Sequence, residues 1–574
     1  MEAAPRGAGG PIVAPCAPFP TRGPDSGRRE SEPKVGSDSG RSRGVLPPSL
    51  TLRALACAVA LSFVACAGDR HGVIGPGSSA PTVTPFDGFE SFVVTESVRL
   101  TGGEYLRPVA DPPSWADPRN AAIVIDGLRD VVVDLRDAEL RGAPKDTPLD
   151  RLRGIGVLVR GCDSVRVLGG ELGGYRVPLL VIGSRGVVVD GTMFDGWYAE
   201  ELRSSARLED PVDRLSSDGT AAEWLDRGGA AIGILSSSGV SVRGCRARRG
   251  RNGVVLGGTT STTIASSDFS GLSGWGIALE ASSSNLVVGN VFDRCVRGYV
   301  HGGWSSDQGS AGVLIVGKSE ENVVSGNSAT HCGRGAFVRG TIASARGNVL
   351  HANDFSFAVV EGVALENADG TRLIENEVRG VLGDGTVVRA SDDVVVQDGR
   401  FEGCRGAAIA LHDVQRALVR RNRVLDCDVG LLVTGDAVRS RADASDNVFR
   451  ENLQDLDVAR ADLCFVQNRF ESPGGRLIAT SVTVGGAPLD QDAVAGRLCA
   501  RGGLRPSGRF DDVTLLLDGE ADRRLAAHAD EFALSRGARS VPSRVKRTGA
   551  TDRGHDAIVM GTHGPVDPQA RTES

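Results

Sequence analysis

The feature of this sequence that most constrains its fold is a repeat of short apolar strands, each led by a glycine. Most steps between successive glycines are 21–23 residues, with a short step before Gly312 and a long step before Gly362. The strands begin at Gly253, Gly276, Gly298, Gly312, Gly335, Gly362, Gly385, Gly406 and Gly430. A unit this short cannot bury a face on its own, so the repeat predicts a stack of coils with one continuous core.

A second landmark, a polar residue that follows a short apolar run, repeats with the same period. Its members are Asn290, Asn327, Asn353, Asn376, Asp398, Asn422, Asn452 and Asn468. An asparagine column at a sharp turn can hydrogen-bond along the stack, and the leading glycines permit a positive φ or a close backbone approach. Two columns with one period predict that each strand pairs with the coils above and below, about 4.8 Å away. Apolar side chains such as Val395 are expected to face the interior.

The composition suits short strands joined by tight turns. The chain has 574 residues, of which 77 are glycine, and aromatic residues make up only 5%. This does not suit a wide globular core. The net charge of −7 provides no basic field for nucleic acid, so we predict no nucleic-acid partner.

The cysteines follow the repeat as well. Cys295, Cys332 and Cys427 each lie three residues before a glycine-led strand, Cys404 lies two before, and Cys245 occupies the place that Asn290 has in its own coil. We interpret them as a small apolar ladder inside a turn rather than as redox or metal groups. Because the CxxC and HExxH spacings are missing, we predict no metal site, and no cofactor is indicated.

The N-terminal region is predicted to direct export. Residues 1–48 are rich in Pro, Gly, Ser and Arg, which predicts a disordered or untranslated extension. Residues 49–66 contain Arg53 followed by about a dozen apolar residues, the pattern of a signal-peptide core. The run Leu61–Cys66 resembles a lipobox, with Phe63 where leucine is preferred, and predicts lipidation of Cys66. Ordinary signal cleavage nearby is the alternative. Residues 67–88 would then be a flexible linker, with the lipid anchor as the contact with the membrane.

Further strands precede the regular repeat, at Val131-Val-Val-Asp-Leu, Gly156-Val-Leu-Val and Leu179-Leu-Val-Ile. From about residue 90 to 470 the chain resembles right-handed parallel β-helix repeat proteins, including pectate-lyase-like folds and the β-helix region of the periplasmic protein NosD. The resemblance implies an all-β fold with a right-handed parallel β-helix over residues 89–472. The period fails after Pro473, so a small β-rich appendage is expected over residues 473–574.

Relatives with this fold often bind or cut acidic polysaccharides, so the resemblance implies an extended saccharide ligand. One cluster before two adjacent glycine-led strands suits such a ligand. We predict that Asp307, His331 and Arg334 share one edge of the stack as catalytic residues. In these roles Asp307 orients the imidazole or binds a cation, His331 acts as general base, and Arg334 neutralises a uronate carboxylate. The residues predicted to bind substrate are His301, Trp304, Glu361 and Asp384.

Two functions stay open at this point, and a third interpretation makes these groups ordinary solvated turn residues. The first function is a carbohydrate-active enzyme of the lyase or epimerase type. The second is a non-catalytic, NosD-like periplasmic or surface protein with a binding or structural role. The combined run of Asn-Thr-Asp and Asp-Asp with His-Gly and Arg-x-Lys that marks polygalacturonases is missing. We expect a monomer in the periplasm or at the cell surface.

Overall fold

The structure is a computed structural model that describes residues 81–84, 91–109, 117–203, 210–213, 215–297, 309–466, 468–471, 476–480, 483–484 and 487–488. Over these residues the chain winds in coils, and the strands of successive coils form sheets by parallel pairing. A complete coil passes through three sheets in turn. The first of them has the longer strands and is called the long sheet, and the coil returns to it after the second and third sheets. Parallel pairing begins at Thr82 and reaches Thr483.

The long sheet has fifteen strands, which pair in parallel in chain order. They are β2 (Phe92–Val94), β5 (Ala121–Asp126), β8 (Ile155–Arg160), β11 (Val177–Ile182), β14 (Ile232–Leu235), β17 (Val254–Gly257), β19 (Trp275–Glu280), β21 (Ala311–Val316), β23 (Arg334–Arg339), β25 (Val363–Glu366), β28 (Thr386–Arg389), β31 (Ala407–His412), β34 (Val429–Thr434), β37 (Gln454–Ala459) and β40 (Arg476–Thr480). Its strands are up to six residues long, so each face of this sheet is several side chains wide.

The second sheet has seventeen strands, most of three residues. They are β1 (Thr82–Val83), β3 (Val98–Leu100), β6 (Val132–Asp134), β9 (Arg166–Leu168), β12 (Val188–Asp190), β15 (Ser241–Arg243), β18 (Thr263–Ala265), β20 (Leu286–Val288), β22 (Val323–Ser325), β24 (Val349–His351), β26 (Arg372–Ile374), β29 (Val395–Gln397), β32 (Ala417–Arg420), β35 (Ser440–Ser445), β38 (Ala461–Val466), β41 (Thr483–Val484) and β42 (Ala487–Pro488). The last two strands pair antiparallel with each other.

The third sheet occurs as two five-stranded segments. The first contains β4 (Gly103–Leu106), β7 (Ala138–Arg141), β10 (Glu171–Gly173), β13 (Met193–Asp195) and β16 (Arg246–Arg248). The second contains β27 (Glu377–Arg379), β30 (Arg400–Glu402), β33 (Arg423–Leu425), β36 (Val448–Arg450) and β39 (Arg469–Phe470). Single parallel bridges such as Val291 with Ser328 and Ser328 with Asp354 continue the ladder between the two segments.

The interior is a set of in-register apolar ladders. Ile277, Val313 and Ala336 are partners on successive strands of the long sheet, and all three are completely buried. Stacking therefore buries apolar surface that a single coil would expose. The expectation for Val395 was wrong, because Val394 and Val396 belong to this interior while Val395 packs against Leu418 on the outer face of the second sheet.

The leading glycines of the strands are required by close approach rather than by an unusual φ. A Cβ built on Gly335 would lie 2.5 Å from the carbonyl oxygen of Gly362 and 2.6 Å from the Cβ of Phe355. The same conflict recurs at Gly362, whose added Cβ would lie 2.5 Å from the oxygen of Gly385. Gly406 does not belong to this column, because its place is taken by Ala408 in the register of β28 with β31.

The predicted asparagine column is confirmed as a hydrogen-bonded ladder inside the turn that follows the second sheet. The side-chain Nδ2 of Asn290 donates to Oδ1 of Asn327, and Asn327 donates in the same way to Asn353, each at 3.0 Å. Two predicted members lie elsewhere: the backbone N–H of Gly399, not of Asp398, donates to Asn422, and Asn452 belongs to a different column. The ladder pairs backbone N–H groups that would otherwise be buried without partners.

The cysteines are stacked inside the turns as predicted. The six described cysteines, Cys162, Cys245, Cys295, Cys332, Cys404 and Cys427, are all buried and none is in a disulfide. The N–H of Cys404 donates to Sγ of Cys427 at 3.4 Å, which places these two on adjacent coils of one column. Cys245 heads the asparagine ladder, where its N–H donates to Oγ of Ser267, the residue bonded in turn to Asn290. The described thiols therefore fill the interior of turns.

One insertion interrupts the coils between β13 and β14, and part of it covers the long sheet. Its helix α1 (Ala221–Gly228) starts at a capping box, in which the N–H of Glu223 donates to Oγ1 of Thr220 and Thr220 donates back to Glu223. The helix packs against β17 and β19, and a Cβ on Gly257 would lie 2.5 Å from the Cβ of Ala221. The three described 3-10 turns are Pro118–Asn120, Leu149–Arg151 and Pro211–Asp213. Among the described helices, none is long and apolar enough to cross a membrane.

Candidate functional site

A row of polar side chains lies on the outer face of the long sheet, at the start of consecutive strands. Arg334, Glu361 and Asp384 each lie two residues before the partners Ala336, Val363 and Thr386, so they occupy equivalent positions on three coils. We call these three residues the first row. The sequence placed all three before a glycine-led strand, and the structure brings them together on one side of the stack.

A second polar row runs parallel to the first, at the ends of the same strands. It consists of Arg339, Glu366, Arg389, His412 and Thr434, which are register partners on β23, β25, β28, β31 and β34. Between the two rows lies a floor of small and apolar side chains, Phe337, Ala364, Val387 and Ala410. The two rows and the floor are together called the polar face.

Arg334 is the least accessible member of the first row. Its side chain is 2% exposed, its Nε lies 2.6 Å from Oε2 of Glu361, and its guanidinium carbon lies 4.6 Å from the ring centre of Phe337. A buried, charge-assisted pair of this kind orients both partners. Arg334 therefore holds Glu361 in place and anchors the first row to the floor.

The carboxyl group of Asp384 has a raised pKa. Its Oδ1 accepts a hydrogen bond from the backbone N–H of Ala407 at 2.7 Å. Burial nevertheless raises the pKa of Asp384 above its ordinary value, against the lowering effect of that hydrogen bond. A carboxyl group of this kind can retain a proton at a higher pH than an exposed aspartate.

The charges of the first three side chains in the second row alternate, positive, negative and positive, and these side chains form ion pairs. Arg339 contacts Glu366 at 3.4 Å and also reaches Asp218 of the insertion at 3.3 Å. Arg389 lies 3.6 Å from Glu366 and 3.9 Å from Glu361, and 39% of its side chain is exposed. These two distances exceed normal hydrogen-bond lengths, so the guanidinium of Arg389 retains donors for a ligand.

His412 follows Arg389 in the same row. Its Nδ1 lies 2.7 Å from Oγ1 of Thr434, which fixes the ring orientation. Burial, followed by the charge of Arg389, lowers the pKa of His412. The imidazole is therefore neutral at physiological pH, and its second ring nitrogen remains able to exchange a proton with a bound group.

His331 lies outside both rows. It occupies the turn that precedes β23, at φ 57, where its Nδ1 lies 3.1 Å from Oγ1 of Thr330. Its ring stacks on that of Phe357 with centroids 4.8 Å apart. The other predicted site residues, His301, Trp304 and Asp307, lie outside the described residues, as does Cys66.

Sequence reasoning missed the second row, although the sequence carries a signal for it. Arg339, Glu366 and Arg389 each stand four residues after a leading glycine. His412 does not follow this rule from Gly406, because the true equivalent of the leading glycine is Ala408. Counting from the correct register, His412 also stands four residues after its strand leader.

Two family models match the repeats. One, described as a right-handed β-helix region, matches residues 214–350. The described coils have the right-handed parallel β-helix fold. The other model, described as the periplasmic copper-binding protein NosD, matches residues 305–472, which contain the whole polar face of this β-helix.

Solved structures with similar coils include three kinds of protein. The surface adhesin PfbA of Streptococcus pneumoniae has 12% identity and a TM-score of 0.43, covering 58% of this chain and 83% of the adhesin. The periplasmic alginate epimerase AlgG has 12% identity and a TM-score of 0.37, covering 59% and 84%. The A-module of the mannuronan C-5 epimerase AlgE4 of Azotobacter vinelandii has 14% identity and a TM-score of 0.34, covering 68% and 90%. No curated protein matches the sequence significantly.

Copper is the metal that the second family model brings into question. Within the described ranges there is no group of three or more His, Cys, Asp or Glu side chains that could hold a metal ion. Thiolates would suit Cu(I), but burial raises the pKa of Cys245 to about 12 and also raises that of Cys162. The hydrogen bond with Cys404 lowers the pKa of Cys427, but no third ligand accompanies this pair, so the described residues do not fit a copper site.

Proposed function

We propose that this exported β-helix protein binds an extended acidic polysaccharide along the polar face. The observation that carries the proposal is the second row, in which five consecutive coils present Arg339, Glu366, Arg389, His412 and Thr434 in register. Adjacent coils are about 4.8 Å apart, so a ligand lying along the stack meets a new polar side chain at each step. Such a surface suits a chain of repeating units better than a small enclosed molecule.

Arg389 supports an acidic ligand. Its side chain is 39% exposed, and its carboxylate contacts, at 3.6 and 3.9 Å, are too long to be hydrogen bonds. A uronate carboxylate could accept two parallel hydrogen bonds from this planar group. Glu361 and Asp384 of the first row would receive hydroxyl donors on the other side of the floor, which is the substrate-binding role predicted for them.

The experiment is a titration calorimetry panel with oligogalacturonate, oligomannuronate and a neutral dextran oligosaccharide. We expect the wild-type protein to bind a uronate oligomer, and Arg389→Ala to weaken binding about 10- to 100-fold, the effect of losing a hydrogen bond between charged groups. The loss should shrink at high salt because the interaction is screened. Arg416→Ala is the matched control, since Arg416 is 44% exposed and pairs with Asp393 away from the polar face. Equal affinity of all three proteins for every saccharide would contradict the proposal.

Lyase or epimerase chemistry is a second candidate function, and the adjacency of Arg389 and His412 favours it. In both reactions a base removes the proton on C5, next to a uronate carboxylate, while a cation neutralises that carboxylate. A lyase then breaks the bond from C4 to the glycosidic oxygen, which leaves with a proton, whereas an epimerase returns a proton to the opposite face of C5. Arg389 and His412 are Cα partners on neighbouring strands, and His412 is held neutral by burial. His412→Ala should abolish either reaction, and the absorbance of unsaturated uronate together with proton NMR of the C5 epimer separates the two products. If wild-type protein gives neither product, the non-catalytic, NosD-like binding function stands.

The catalytic roles of Asp307, His331 and Arg334 remain predictions. The buried pairing of Arg334 with Glu361 favours a positioning role for Arg334 over direct contact with the carboxylate of a ligand. His331 would have to reach a ligand from the turn that precedes the first row. Replacing each by alanine and repeating the saccharide titration tests these roles one at a time.

The proposed location is the periplasm or the cell surface, with a lipid anchor at Cys66. The support is the lipobox-like run that ends at Cys66, together with the partial match to a periplasmic family. Radiolabelled fatty acid should be incorporated by the wild-type protein and not by Cys66→Ser. Equal labelling of both proteins would remove Cys66 as the anchor. We further propose that the protein is a monomer, which its sedimentation velocity would test.

A further inference from the structure

The turn edge beside the first row carries a pair of stacked, exposed aromatic rings. The imidazole of His331 and the phenyl ring of Phe357 have centroids 4.8 Å apart and an angle of 22° between their planes. Phe357 is 41% exposed, and His331 is exposed as well. Leu382, 44% exposed, lies in the same turn of the following coil. We call His331, Phe357 and Leu382 the apolar shelf.

The fold does not require an aromatic side chain at this position. One residue per coil occupies this column at positive φ, and the hydrogen bonds from Phe357 to the oxygen of Arg379 and from Gly380 to that of Glu402 show that Phe357 and Gly380 are equivalent. Phe357 has φ 59, Gly380 φ 60 and Gly403 φ 66. Glycine is the residue best suited to this conformation, and a bulky side chain there is unusual.

The next coil makes room for the phenyl ring. A Cβ added to Gly380 would lie 2.8 Å from Cδ1 of Phe357. One face of the ring therefore stacks on His331, and the lack of a side chain at Gly380 leaves space beside the ring, so that 41% of Phe357 stays exposed. An exposed aromatic ring held in a fixed orientation is a feature of binding surfaces, because it offers apolar area at little cost in conformational entropy.

We propose that the apolar shelf is a stacking subsite for one pyranose ring of the bound polysaccharide, a proposal that rests on the proposed function of the polar face. The apolar C–H groups of the sugar would lie against the face of Phe357 that His331 does not cover, beside Gly380, and its polar substituents would point towards the first row. The shelf and the first row are continuous, because Arg334 follows His331 by three residues and Glu361 follows Phe357 by four. The polar face thus selects charge and hydroxyl groups, while the shelf selects the apolar face of a ring.

Calorimetric titration with oligogalacturonate and oligomannuronate tests the shelf. The variant is Phe357→Gly, a substitution that this position of the fold can accept. Phe357→Gly introduces the residue that the two following coils already have, so the turn should fold. We expect this variant to weaken binding of the preferred oligomer about three- to tenfold, the usual value of an aromatic packing interaction. The factor should be the same at low and high salt, because stacking is not ionic. Phe357→Trp should retain wild-type affinity.

Leu453→Ala is the matched control, because Leu453 is 71% exposed and lies in the same column as Leu382, on a coil beyond the first row. It should leave affinity unchanged. Unchanged affinity in Phe357→Gly together with a loss in Arg389→Ala would overturn the shelf and leave the polysaccharide function standing. A loss in Phe357→Gly with no loss in Arg389→Ala would support the shelf and remove the proposed role of Arg389 in the second row. If the wild-type protein binds neither oligomer, the proposed function fails and the shelf falls with it.

Discussion

The outer face of the long sheet is built in two different ways along its length. Over β11 to β17 the outward residues at the strand ends, Ile182, Leu235 and Gly257, are apolar or small, and Gly257 lies under helix α1 of the insertion. Over β23 to β34 the same outward positions at the strand ends hold Arg339, Glu366, Arg389 and His412. One sheet with one register therefore carries a stretch that serves stability and a stretch that can serve binding.

Contacts between Arg339 and the insertion mark the boundary between the two stretches. Arg339, on β23, reaches back to Asp218 and to Oγ of Ser217 in the insertion. The insertion thus contacts the sheet as far as the first strand of the polar face. Polarity alone therefore does not identify a site on a repeat protein. The second stretch differs because polar residues occupy consecutive coils and two of them, Arg339 and Arg389, are partly exposed cations.

The largest expected effect on stability is in the covered stretch. Trp224 of α1 is 1% exposed and packs against Trp275 with ring centroids 6.4 Å apart. Trp224→Ala should cost about 3–5 kcal/mol in the stability of the coils beneath the helix, because it leaves a cavity. Hydrogen exchange of β17 and β19 measures this loss. Saccharide affinity should not change, and a parallel loss of affinity would mean that the two stretches act as one unit.

A comparable effect is expected within the polar face at Arg334. Arg334→Ala leaves the 10%-exposed side chain of Glu361 without its 2.6 Å partner, and breaking a buried pair costs about 3–5 kcal/mol. Replacing both residues by methionine should restore most of the lost stability. Hydrogen exchange of β23 and β25 provides the measurement. If Arg334→Ala is as stable as the wild type, Arg334 is not the anchor of the first row.

A smaller effect is expected at Asp443, which contrasts with the paired carboxylate of Glu361. Asp443 is on the outer side of the second sheet beside Leu418, and within the described residues its Oδ1 has no hydrogen-bond partner. Burial raises its pKa from 3.8 to about 6, so the folded state binds this proton more tightly and stability is lost as pH rises between these values.

Asp443→Asn should therefore stabilise the protein by about 1 kcal/mol near pH 7 and have little effect near pH 4, since partial exposure screens the charge. Thermal melts at the two pH values give the comparison. A stabilisation of the same size at both pH values would show that the effect is not due to ionisation.

The sequence was sufficient to predict the stack, the asparagine ladder and the buried cysteine column, because each repeats with the coil period. It also placed Arg334, Glu361 and Asp384 together, since residues at one offset from a repeating landmark share one side of a solenoid. It did not predict that Arg334 is buried under its own salt bridge, because burial depends on the neighbouring Phe337 and Glu361 and not on periodicity.

The remaining errors come from register and from non-repeating segments. Taking Gly406 as a strand leader displaced the count by two residues and hid His412. Val395 was wrongly assigned to the interior. Successive residues of a short strand point to opposite faces, so an error of one residue in the register moves a side chain from the interior to the outer face. The packing of α1 on the long sheet could not be foreseen, since the insertion carries no period to compare with the coils.

The most direct test of the account is arginine footprinting with phenylglyoxal, read by peptide mass spectrometry with and without a saturating uronate oligosaccharide. Arg339 and Arg389 are exposed enough to react, and so are Arg243 and Arg416 on other parts of the stack. The account predicts that bound saccharide protects Arg339 and Arg389 and leaves the other two as reactive as before. Protection of Arg243 and Arg416 with no protection of Arg389 would place the ligand away from the polar face and contradict the account.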